Sequence, residues 1–187
     1  MTGKGKLHII GAVLAVLILC TAAKAPPETI QAQAFGTTTM AGKSFGITIN
    51  IESYSTPADQ KVLIDAFQRG GHSELVKAVS KMKGRGRVRL SSGGVGYQIA
   101  YIRNIETPQG RTIRLITDRP ISIAEAMFST RSEDYDLSLI ELHLTNAKDS
   151  TGTMVPGGRF KVNKKSNQIE FESYNATPWR LAGIQER

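Results

Sequence analysis

The sequence predicts an α+β domain: a curved antiparallel sheet or open β-barrel of about seven or eight strands, with a two-helix hairpin inserted after the first strand. Three observations lead there. Segments alternating apolar and polar residues recur from Ser44 to Gln185, the period of half-buried strands. The turns between several of them are short, which makes strand neighbours antiparallel. Two amphipathic stretches follow one another between Pro57 and Met82, after the first strand and before the rest.

Residues 1–25 read as a signal peptide: Lys4 and Lys6 precede an apolar run from Ile9 to Cys20, and Ala23-Lys24-Ala25 forms a small-x-small cleavage site before Pro26-Pro27. The run is shorter than the ~20 residues that cross a bilayer as a helix, so no stable span is expected after cleavage. Leu19 ahead of Cys20 argues against lipidation, and the lack of a glutamate between Gly11 and Glu28 argues against a pilin-type leader. Cys20 is the single cysteine and would leave with the signal, so the mature protein would hold neither a disulfide nor a Cys-ligated metal. Losing Lys4, Lys6 and Lys24 lowers the formal charge from +8 to about +5. The expected location is periplasmic or secreted.

Residues 26–43, PPETIQAQAFGTTTMAGK, are rich in Pro, Gly, Thr and Ala and read as a flexible N-terminal tether, leaving 44–187 as the single α+β domain. Ser44 to Tyr54 sets Phe45, Ile47, Ile49 and Ile51 against Gly46, Thr48, Asn50 and Glu52, a half-buried strand. Thr56 then caps a helix with Pro57 at its first position; Val62, Leu63, Ala66 and Phe67 share a face, and Gly70-Gly71 ends it. A second helix from Ser73 to Met82 places Leu75, Val76, Val79 and Met82 at helical spacing and stops at Gly84. Further strands are expected at Arg87–Ser91, Tyr97–Glu106, Arg111–Asp118, Asp136–Asn146, Gly152–Asn163, Gln168–Tyr174 and Trp179–Gln185, with turns at Thr107-Pro108-Gln109-Gly110 and Lys164-Lys165-Ser166-Asn167. Ile121 to Asp136 fits a short helix or a strand followed by an exposed loop, and Glu125, Glu133, Asp134, Asp136 and Glu141 make this region acidic.

Chemistry is thinner. From Lys77 to Arg103 the chain carries seven basic residues and no acidic one, and alternation puts Arg85, Arg87 and Arg89 on one side of a strand with Val88 and Leu90 opposite. Lys81, Lys83, Arg85, Arg87, Arg89 and Arg103 are therefore the expected contact surface of a non-enzymatic binding or accessory domain, its partner an anionic surface polymer or a protein. The plainer alternative is a solvated edge that resists edge-to-edge pairing. Lys83 to Leu90 follows the outline of an RNA-recognition strand but lacks every base-stacking aromatic, which disfavours nucleic acid.

Gly93-Gly94-Val95-Gly96 precedes strand pattern rather than a helix, so a tight turn is expected there and not a phosphate cradle. His72 and His143 show no metal-ligand spacing; a hydrolase using either with a carboxylate is the least favoured alternative. Ser80 and Lys83 match an S-x-x-K outline, but at a helix end and without its companion motifs. Glu170 and Glu172 share a strand face that is expected to be solvated. Met154, Phe160, Phe171, Tyr174 and Trp179 read as core or cavity lining; in a strongly curved sheet they would hold a small apolar ligand, the second functional reading. No cofactor, metal or catalytic residue is assigned.

The segments TINIESYSTPADQ (Thr48 to Gln60), RTIRLITDRPI (Arg111 to Ile121) and NATPWRLAGIQER (Asn175 to Arg187) resemble those of a group of small exported bacterial proteins. The resemblance covers most of residues 44–187 and implies export and a compact single domain. It brings no activity, ligand or catalytic residue.

Overall fold

The computed structural model describes residues 27–121, 136–145, 149–163, 168–173 and 178–187. Among them are β1 (Glu28–Phe35), a 3-10 turn (Thr38–Met40), β2 (Ser44–Ile51), α1 (Pro57–Ser80), β3 (Gly86–Leu90), β4 (Tyr97–Thr107), β5 (Gly110–Thr117), β6 (Leu137–Thr145), β7 (Thr151–Asn163), β8 (Gln168–Ser173) and β9 (Trp179–Glu186). Each strand from β1 to β7 pairs antiparallel with the next, β7 pairs with β9, and β9 returns to β1. The sheet is thus a closed eight-stranded antiparallel barrel, with β8 as an extra strand hairpinned onto the distal half of β7. Closure satisfies both edges of every barrel strand.

Two expectations are corrected. The stretch 26–43 is not a tether: Ile30, Ala32 and Ala34 face inward, and β1 pairs with β2 from end to end and with β9 along most of its length. Its apolar alternation is carried largely by alanines, which supply little burial signal per residue. The two-helix hairpin is also replaced. One helical element, α1, runs through Gly70 and Gly71, which adopt non-helical angles (Gly71 at φ +64°) and kink it sharply. A straight helix of this length would hold its ends about 36 Å apart. Here Asp59 in the first turn bonds Arg85, five residues beyond the last, at 2.6 Å.

The interior is filled. Ile30, Ile47, Ile49, Ile51, Val88, Ile99, Ile102, Ile113, Leu115, Ile140, Leu142, Met154, Trp179 and Leu181 form one buried cluster, closed at one end by Phe45, Met40, Leu90 and Tyr97. A second cluster lies outside the wall, where Leu63, Leu75 and Val79 of α1 pack on Ala100, Ile116 and Leu137 of β4, β5 and β6. Phe160 and Phe171, edge-to-face with centroids 4.9 Å apart, extend it. Trp179 and Phe171, expected to share one pocket, therefore belong to opposite sides of the barrel wall. Gly158 makes this possible, since a Cβ there would meet the Phe171 ring at 2.4 Å.

The start of α1 is fixed by a capping box: Thr56 Oγ1 accepts the Asp59 N–H at 3.2 Å while the Asp59 carboxylate accepts the Thr56 N–H at 2.7 Å. Burial pushes the Asp59 carboxyl up, but the Thr56 bonds and the Arg85 guanidinium outweigh it and hold the group below its ordinary value. Its folded pKa is thus the lower one, so the stabilisation it provides is present above the ordinary carboxylate pKa and is lost as pH falls through the folded value. Asp59→Asn is expected to cost about 1–2 kcal/mol at neutral pH. The difference from wild type in urea unfolding should shrink on acidification below pH 4.

The signal segment, most of the acidic stretch (Glu125, Glu133 and Asp134 included), the turn at 164–167 and Tyr174 lie outside the described residues. Among the described ones no helix is long and apolar enough to cross a membrane.

Candidate functional site

The expected basic residues do not form one surface. Lys81 caps the end of α1 and is exposed, as is Lys83 in the connection that follows. Arg85 is drawn inward: it bonds Asp59 at 2.6 Å and reaches Ser53 Oγ at 3.5 Å, with only 18% of its side chain exposed. It anchors α1 rather than offering a charge to solvent. Arg103 stands on β4 beyond the end of β3 and faces Arg114 of β5, which is paired with Glu141. Arg87 and Arg89 remain together on the outer face of β3.

Around those two arginines the register builds an ordered wall. Thr29, Asn50, Arg87 and Gln98 stand in one cross-strand row over β1 to β4. Gln185, Gln31, Thr48 and Arg89 stand in the next over β9, β1, β2 and β3. Ala182, Gln33 and Gly46 follow, with Ser91 bonded to Gly46 through both backbone and hydroxyl. The outward residues of β1, β2 and β3 include no carboxylate. A shallow groove runs over this wall, lined by Gln31, Gln33, Thr48, Arg89, Ser91 and Gln185, where Gly46 and Gly183 add no side chain. Arg180 closes one end of the wall, its guanidinium 5.4 Å over the Phe35 ring.

The glycine turn after β3 is a turn as expected: Gly93, Gly94 and Gly96 all take positive φ, and β4 follows. Arg87 donates to Val95 O at 2.8 Å and Arg119 to Gly96 O at 3.1 Å, so arginines on both sides hold it. The histidines occupy separate places. His72, at the kink, accepts the Phe160 N–H at 3.2 Å and lies 3.9 Å from the Asp136 carboxylate. His143 sits half-exposed beside Glu141, Nε2 to Oε1 at 2.9 Å. Glu74 pairs with Lys77 instead. No grouping of three His, Cys, Asp or Glu suited to a metal occurs among the described residues. The Ser80 hydroxyl donates to Lys77 O, occupied in ending the helix, and Glu172 pairs with both Arg159 and Lys161 at 2.9 Å.

A second polar cluster stands at the opposite end of the barrel. Arg111 points inward from β5 and bonds Glu28 of β1 at 2.6 Å, Glu186 of β9, and Tyr54 Oη at 3.2 Å; Tyr54 in turn donates to Glu28. Burial, then the Glu28 carboxylate, pushes the Tyr54 hydroxyl well above its ordinary value. Burial disfavours the Arg111 charge, but the two carboxylates more than offset that. This plug and the glutamine rows were not anticipated. The alternation of Gln31 and Gln33 with Ile30, Ala32 and Ala34 was the signal available for the rows.

No known protein family, no curated protein and no solved structure matches this chain.

Proposed function

We propose that this chain is an exported, non-enzymatic binding domain that holds an anionic polymer on the outer wall of β9, β1, β2 and β3. The observation that carries the reading is the wall itself: Arg87 and Arg89 stand among amides and hydroxyls with no carboxylate on the outward faces of β1–β3. Such a surface attracts polyanions without local self-neutralisation. The opposite wall is occupied by α1 and the interior by side chains, so neither favours a carrier of apolar ligands. Export rests on Lys4, Lys6, the Ile9–Cys20 run and the Ala23-Lys24-Ala25 site.

The test is retention on immobilised heparin across a salt series. Wild-type protein is expected to bind at low ionic strength, and Arg87→Ala/Arg89→Ala to elute earlier, with the slope of log affinity against log salt lower by about two. Unchanged elution of the double variant would refute the assignment.

A further inference from the structure

We infer that the groove takes an extended polysaccharide bearing carboxylates, a polyuronate, rather than polyanions in general; this rests on the binding reading above. Three features select that class. The wall is rich in Gln31, Gln33, Gln185 and Thr48 around Arg89, so neutral groups that both donate and accept outnumber the cations. Phosphate or sulfate would use only the donors, whereas each sugar hydroxyl needs a donor and an acceptor together. Arg89, at the end of the Gln185, Gln31, Thr48 row, supplies the forked donor pair that fits a carboxylate.

The other polymers are poorly served. Phe35, an aromatic on this face, is covered by Arg180, so bases find no stacking platform there. The backbone groups of β1 and β2 are spent on neighbouring strands, which removes the ladder that an extended peptide would use. Strands follow one another at ~4.8 Å, so the side chains within each row repeat at a spacing comparable with the units of an extended hexose chain.

Gly46 supplies a test that leaves every charge in place. A Cβ there would stand 3.6 Å from Ser91 Oγ and 3.8 Å from Gln33 Oε1, filling the groove between them, and the residue is not in the left-handed region. Titration calorimetry with a hexameric galacturonate, alongside single-stranded DNA of equal charge and the heparin series, is the experiment. Wild-type protein is expected to bind the uronate at least tenfold more tightly than the DNA. Gly46→Val should weaken uronate binding by tenfold or more while the salt slope of heparin retention, which counts the charges that Arg87 and Arg89 supply, stays as in wild type. Gln31→Ala/Gln33→Ala, two outward positions, provides the same readout if Gly46→Val fails to fold. Equal affinity for uronate and DNA, or wild-type uronate affinity in the folded variants, overturns the groove assignment; if Arg87→Ala/Arg89→Ala still loses heparin retention, the broader polyanion reading survives it. Loss of both heparin and uronate binding in wild type sinks the two together.

Discussion

A chain that begins at Ser44 is expected not to fold, whereas one that begins at Pro26 should give the full β-sheet signal and a cooperative transition. The comparison separates β1 as a structural strand from the same residues as a tether. Without β1, the interior loses Ile30, Ala32 and Ala34, and β2 and β9 each present an open edge. Burying an isoleucine is worth about 2–3 kcal/mol, and each ladder hydrogen bond about 1 kcal/mol net. Lost from two ladders at once, the total rivals the ~5–15 kcal/mol that holds a whole domain. The exposed edges would also pair between molecules. Circular dichroism and size-exclusion chromatography decide it: a monomeric 44–187 fragment melting like the longer chain would refute the central place given to β1.

Arg111→Met is expected to destabilise by about 3 kcal/mol or more, a fall in Tm of roughly 10 °C for a domain of this size. The substitution keeps most of the aliphatic stem but leaves Glu28 and Glu186, each bonded to Arg111 in the native protein, as facing carboxylates without a cation. A double-mutant cycle with Glu186→Gln should show coupling, because the glutamine removes one of the charges that the missing guanidinium strands. Additive losses would show that the plug contributes nothing as a unit. The Tyr54 hydroxyl, whose folded pKa is the raised one, contributes stability that is complete below pH 10 and is lost as pH rises through the folded value. Tyr54→Phe should therefore flatten the alkaline end of the wild-type stability profile.

Much of the fold was legible because a half-buried strand writes its period into the residues. β2 and the strands from β3 to β9 start and stop within a residue or two of where alternation and turn chemistry place them, apart from β2, which ends before Tyr54. Closure was not legible, since pairing such as Ile30 with Glu186 joins opposite ends of the chain and leaves no local mark. The same limit applied to the site. A run of alternating arginines looks uniform in sequence, yet Arg85 is claimed by Asp59, a carboxylate 26 positions upstream. Arg103 is separated from Arg87 and Arg89 by the register of β4 against β3, and the companions of Arg89 come from β1, β2 and β9. In α1 the glycine pair correctly marked a break in helical geometry, but the resulting left-handed Gly71 bends the element instead of ending it.

The joining of β1 to β9 also bears on how quickly the protein becomes competent. Contacts between distant parts of a chain form only after their loop entropy has been met, which places barrels of this kind among the slower folders, at milliseconds to seconds. The row that sets Gln185 beside Gln31 straddles that last seam. A chain with β2 to β7 already paired would have most of its secondary structure, but an open barrel, a core still lacking Ile30, Trp179 and Leu181, and only half a groove. Recovery of ligand binding during refolding should accordingly lag behind recovery of the circular dichroism signal, making binding a report on the final step of assembly.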